Sequence, residues 1–385
     1  MTQEQLIEKT KQLIAIPSVA QDPAALLEAL DFIAAMIWER CPDVTIERFK
    51  SNYKPGLLAY RGAQRPANFR IMLNGHLDVV PGKPEQYKAV VKDGKLYGRG
   101  VYDMKAACVV LTDQFCRFVN EVPYALGLQI VTDEESDGRN GTLYQIKKGV
   151  RADFIIAGEC GRPLGTYEIA NEAKGFVMAE IGFHGRAAHS AYPWKGNNAA
   201  LRATTFINAL HERFPVPLEA SDETFISVTS LSAVSDAHSK LPDFATVKVV
   251  ARYAAGDPNF RSRRHFAALI EEIDPTAEIV NILNFESPIY TNPQNPLLLS
   301  LKASAEKIER AEFSFVSRHG TGDGRFYGDV GDEACEFGIA GEDSHGDHEY
   351  ITLEAFKNYR ATLHDFLAKT TVTEKEHSNT RAFVG

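Results

Sequence analysis

Cysteine is scarce: Cys41, Cys108, Cys116, Cys160 and Cys335 are the only five in 385 residues, and no two form a C-x-x-C pair. An odd, widely spaced set builds neither a disulfide framework nor a zinc ribbon, so a reducing compartment, the cytoplasm, is the expected location. Positive charge is also short. Lys and Arg number 42 against 51 Asp and Glu, for a formal net charge of -9. The chain lacks the basic footprint that holds a phosphate backbone, and nucleic acid is not an expected partner. No apolar run approaches the ~18 residues of a membrane helix, and the first residues, MTQEQ, lack a basic stretch followed by an apolar one. No membrane association is expected. Internal repeats and low-complexity tracts are missing, as are G-x-S-x-G, H-E-x-x-H and G-x-x-x-x-G-K-[ST], which excludes serine-hydrolase, gluzincin and P-loop readings.

What is present is an ordinary globular composition, 44% hydrophobic and 24% charged, long enough for about two or three domains. Helical periodicity covers 5–16 and 23–41, and strand patterns cover 44–49, 57–60 and 69–74. Helix 104–119, strand 124–132, helix 143–149 and strand 153–158 follow, an alternation that predicts a largely parallel sheet covered by helices. From about Gly175 the order becomes βαββαβ, a split βαβ unit with its own small sheet. Pro288, Pro293 and Pro296 mark a return connection, after which 297–308, 312–317 and 353–368 restore helix, strand and helix. The expected organisation is an α/β domain formed by 1–174 and 287–385 with 175–286 inserted. The stretch from about 370 to 385 is polar and is expected to fray.

Five clusters carry chemistry. His76 and Asp78 follow the strand at 69–74, where open α/β sheets place ligand sites, and Asp78 can fix the tautomer of a metal-bound His76. Asp103 sits in a glycine-punctuated turn, GRGVYDMK, where it also reads as a helix N-cap. Glu134 and Glu135 end another strand, where one carboxylate can ligate a metal while its neighbour serves as a base. Glu159 follows the apolar run 154–157 and is costly there unless solvated or paired. His345 and His348 crowd HGDHE, and spacing does not choose between them. Together these loops supply the donors of a two-metal hydrolytic site.

The series HLDVVP, GRGVYDMK, TDEE, GE and HGDHE, in this order, resembles the co-catalytic zinc metallopeptidase family of acetylornithine deacetylase, succinyl-diaminopimelate desuccinylase, aminoacylase and carboxypeptidase G-type enzymes. The resemblance covers nearly the whole chain. It implies a zinc-peptidase-like catalytic domain with a central, mostly parallel sheet and an inserted ferredoxin-like lid and dimerisation domain. It also implies two divalent cations, zinc foremost with cobalt or manganese as alternatives. His76 and Glu159 would hold one, Glu135 and His345 the other, and Asp103 would bridge them. His345 is preferred to His348 because it stands four residues before Glu349, as in the family's last motif. Glu134 becomes the general base, and Asp78 keeps its orienting role.

The segment GRAAHSAYP looks like the family's lid motif, whose histidine reaches the neighbouring subunit's site, which makes His189 an oxyanion donor in a homodimer. Arg252 near the end of a lid strand, and Arg325 in GTGDGRF, are expected to grip a substrate carboxylate. Three positions depart from the family. Ser239 stands where many relatives have asparagine, Cys160 stands where proline is usual, and no aspartate precedes Arg252. The implied activity is removal of an acyl group from an N-acyl amino acid. A dipeptidase or carboxypeptidase with the same metals is the alternative, and a non-catalytic binding relative is a third reading.

Overall fold

The computed structural model describes residues 1–370 apart from 161 and 321; the expected frayed tail lies outside the described residues. Local signals set the first helices. Thr2 caps α1 (Gln3–Ile14) in a reciprocal box with Gln5, and Asp22 caps α2 (Pro23–Arg40) by accepting from the N–H groups of Ala24 and Ala25. The chain continues through β1 (Val44–Ser51), β2 (Lys54–Arg61), β3 (Phe69–His76), β4 (Val90–Lys92), β5 (Lys95–Tyr97), α3 (Ala106–Phe118), β6 (Leu126–Val131), α4 (Thr142–Lys147) and β7 (Ala152–Ala157). Next come β8 (Glu168–Ala173), β9 (Gly175–His184), α5 (Ala199–Arg213), β10 (Phe225–Ser232), β11 (Phe244–Tyr253), α6 (Arg263–Ile273), β12 (Glu278–Glu286) and β13 (Ile289–Tyr290). The last stretch holds α7 (Pro296–Glu309), β14 (Ser314–Arg318), α8 (Arg325–Gly328), β15 (Glu333–Glu336), β16 (Gly341–Glu342), β17 (Tyr350–Thr352) and α9 (Leu353–Lys369).

Two compact units result among the described residues: 1–167 with 294–313 and 338–370, and 168–293 with 314–337. In the first, β3 pairs in parallel with both β6 and β7, while β2 and β1 extend the sheet antiparallel beyond β6. All of β3 but Arg70 is buried, the pattern of a strand covered on both faces. Helices α2 and α3 pack against β2, β3 and β6, and α9 packs on α3 and α7. Each fully buried Leu, Ile or Phe in these layers contributes ~1.5–3 kcal/mol. A small antiparallel sheet, β16-β17-β5-β4, ties residues 90–97 to 341–352, with Tyr350 opposite Tyr97.

In the second unit, β10-β11-β9-β12 form an antiparallel sheet. Alternation along β9 and β11 turns Val177, Ala179, Ile181, Phe183, Val247 and Val249 toward Phe206 and Leu210 of α5 and Phe266 and Leu269 of α6. The order β9-α5-β10-β11-α6-β12 is the expected βαββαβ. This unit takes in more of the chain than 175–286, because β8 pairs in parallel with β14 and antiparallel with β13 and β15. No helix among the described residues is long and apolar enough to cross a membrane.

Candidate metal centre

The carboxyl ends of β3, β6 and β7 lie side by side, with His76 in register with Val131 and Asn74 with Ala157. His76 ends β3, Glu134 and Glu135 follow β6, and Glu159 follows β7. All four therefore emerge at one edge of the sheet, where ligands of such sheets bind. Asp103 reaches that edge from the turn at 98–103, which depends on Gly100. That residue has φ 78°, and a Cβ there would stand 2.6 Å from Val79 Cγ1. The loop between β16 and β17 brings His345, itself left-handed with φ 63°.

Asp103 is the centre of the group. Its Oδ1 lies 3.1 Å from His76 Nε2 and its Oδ2 lies 3.2 Å from His345 Nε2. His76 Nε2 is also 3.7 Å from Glu159 Oε2, and His345 Nε2 is 3.1 Å from Glu135 Oε1. Two triads share Asp103: His76–Asp103–Glu159 and Asp103–Glu135–His345, with donor atoms in each within 4.8 Å of one another. The first triad is buried, whereas the second opens to solvent at His345. Asp103 does not cap α3, which begins three residues later.

Burial, charge and hydrogen bonding act together here. Burial alone would raise Asp103, but hydrogen bonds with His345 and His76 and the charge of His76 hold it far below the usual carboxylate range. Burial would lower His76, yet the charge of Glu159 and bonds to Asp103, Asp78 and Glu159 carry it well above a free imidazole. Hydrogen bonds with Asp103 and then Glu135 push His345 up to about 10. Burial raises Glu159. Imidazole nitrogen and carboxylate oxygen are the donors that zinc, cobalt and manganese accept, and each triad gathers them closely enough for one ion, so the residues fit a two-cation centre.

The surrounding contacts refine the expectations. His76 Nδ1 lies 2.9 Å from the main-chain oxygen of Asp78 and 3.5 Å from its Oδ1, so the nearer partner of the ring is the carbonyl. The Asp78 carboxylate also accepts the backbone N–H groups of Glu134 and Glu135. His348 belongs to neither triad, and its N–H donates to Asp343 Oδ2 at 2.7 Å. Cys160 Sγ and Ser344 Oγ both donate to Asp103 Oδ2, at 3.2 and 2.9 Å. Sequence spacing gave no sign of these two contacts.

In the second unit, His189 is exposed, its ring tilted 56° to that of Tyr192 with centroids 5.9 Å apart, and it accepts the Ala191 N–H at Nδ1. Arg252 lies over the Phe176 ring at 4.4 Å, and burial together with the like charge of Arg325 lowers its pKa. Arg325 is 7% exposed, its Nε 3.7 Å from Glu286 Oε2.

Residues 72–369 match the Peptidase family M20/M25/M40. The chain is 27% identical over 394 aligned positions to a succinyl-diaminopimelate desuccinylase of Rickettsia akari (strain Hartford), spanning 94% of this chain and 99% of that one. An aminopeptidase of Bacillus cereus superposes with a TM-score of 0.73 at 18% identity, over 96% of this chain and 100% of the other. A dinuclear metal-binding peptidase of the M20 family from Bacillus subtilis gives a TM-score of 0.67 at 14% identity, over 95% and 97%. These two structures speak for the fold. A family match running from β3 to the end of α9 decides membership: the chain belongs to peptidase family M20/M25/M40 and is a hydrolase.

Proposed function

We propose that this hydrolase removes the acyl group from an N-acyl amino acid at a centre of two divalent cations, zinc foremost. The observation that carries the reading is the pair of triads sharing Asp103 beside Glu134. His76 and Glu159 would hold one cation and Glu135 and His345 the other, with Asp103 common to both groups. Bound there, two such cations supply Lewis acidity, lowering the pKa of water and polarising an amide carbonyl. Glu134 accepts the proton of the attacking water at its carboxylate and returns it to the departing amine. Asp78 fixes the backbone from which Glu134 and Glu135 project.

His189 donates to the oxyanion. Because Nδ1 accepts from Ala191, a neutral ring carries its hydrogen on Nε2, which is then the donor. By resemblance to the family it acts on the partner's site in a homodimer built through the inserted unit. Arg252 and Arg325 grip a substrate carboxylate, a task suited to planar guanidinium groups. The desuccinylase name of the Rickettsia akari relative supports an acyl-amino acid, with a succinyl group as the first to try.

The test is a hydrolysis screen over N-succinyl, N-acetyl and N-formyl amino acids beside dipeptides, on protein of measured metal content. Turnover of acyl-amino acids with dipeptides inert supports the proposal. Turnover of dipeptides alone replaces it with a dipeptidase.

A further inference from the structure

Glu349 is 2% exposed, and a carboxylate so placed is costly unless every oxygen is bonded. It meets that condition with four donors, all from residues 99–103. Oε2 accepts from Arg99 Nη1 at 2.8 Å and from the Gly100 N–H at 2.9 Å. Oε1 accepts the N–H groups of Tyr102 at 2.8 Å and Asp103 at 3.1 Å. Arg99 then reaches back: its Nη2 donates to the main-chain oxygen of His345 at 3.2 Å. The Gly98 N–H adds a bond to the Glu349 carbonyl at 3.2 Å. One buried ion pair thus ties the backbone that presents Asp103 to the backbone that presents His345.

We infer that Glu349, with Arg99, positions the shared carboxylate and the His345 imidazole, so that both triads keep their spacing through one carboxylate–guanidinium pair. The inference rests on the two-cation reading proposed above. Three converging N–H groups and the Arg99 guanidinium fill the acceptor sites of the carboxylate, two on each oxygen; an amide at that position would present its NH2 to two of the donors, leaving them unbonded. Lysine at position 99 would keep a charge beside Glu349 but offers no second prong for the His345 oxygen. The two substitutions should therefore act differently. Glu349→Gln disturbs Asp103 and hence both cations, whereas Arg99→Lys disturbs the His345 side.

The experiment measures Zn2+ and Co2+ dissociation constants by chelator competition, the Co2+ absorption spectrum, and the melting temperature of the metal-free protein. Wild type and His348→Ala serve as references. Glu349→Gln is expected to weaken both cations by roughly 10–100-fold, as loss of a ligand-orienting partner does, and to alter the Co2+ spectrum. Arg99→Lys is expected to weaken one cation by a similar factor and leave the other near wild type. If Glu349→Gln fails to fold, Arg99→Lys alone decides. Wild-type dissociation constants and spectrum in the folded variants, whatever happens to the melting temperature, make Glu349 an element of the fold only and overturn the inference. Fewer than two cations on wild type would instead overturn the two-cation reading.

Discussion

Asp78 Oδ1 accepts the backbone N–H of Glu134 at 3.2 Å, and its Oδ2 accepts that of Glu135 at 3.0 Å. The carboxylate after β3 therefore fixes the chain after β6, while the Asp78 carbonyl faces the His76 ring.

Asp78→Asn follows directly. An amide retains one acceptor and turns NH2 toward the other N–H, so the segment carrying Glu134 and Glu135 should shift while His76 keeps its carbonyl partner. We expect kcat to fall by about 10–100-fold with the cation at His76 and Glu159 retained. Steady-state kinetics and metal analysis on the same preparation check this. Wild-type kcat would show that the backbone stays in place without the carboxylate.

The metal assignments separate by substitution. After dialysis, His345→Ala should retain one cation per chain and Asp103→Ala neither, since Asp103 alone is shared by the two triads. His348→Ala should retain both. A loss of metal from His348→Ala, with His345→Ala unaffected, would reverse the choice between the histidines.

Assembly is tested by complementation. His189→Ala and Glu134→Ala, each inactive alone, are mixed under conditions of proven subunit exchange. If His189 serves the partner's site, a hybrid dimer holds one site with both groups intact and one with neither. Random exchange at equal amounts makes about half the dimers hybrids, so about a quarter of wild-type activity should return. No recovery means that His189 does not act across subunits.

Much of the first unit was legible because burial on both faces leaves long apolar runs. The strands at 69–76, 126–131 and 152–157 announce themselves this way, and with them the ends from which His76, Glu134, Glu135 and Glu159 project. What escaped were contacts made by short or irregular segments. β5 and β17 have three residues each, too few for alternation to register, yet their pairing brings Glu349 to the turn at 98–103. A local signal did exist. Asp93 and Gly94, both at positive φ, form an Asp-Gly hairpin turn between β4 and β5. β15, EACE, is similarly brief, which is why 333–336 gave no hint of joining the second unit. The spacing H-x-D placed Asp78 near His76, but which oxygen faces the ring depends on backbone direction after the strand. The bonds from Cys160 and Ser344 to Asp103 join three separate loops and leave no periodic trace.

The most direct test combines metal content and turnover on one sample of Glu134→Gln. The amide cannot accept the proton of water, while the proposed ligands His76, Asp103, Glu135, Glu159 and His345 are unchanged. The variant should bind two cations per chain as wild type does, and lose activity by a factor on the order of 10² or more. Near-normal turnover in a variant loaded with two cations would contradict Glu134 as the base, and with it the proposed hydrolysis by metal-activated water.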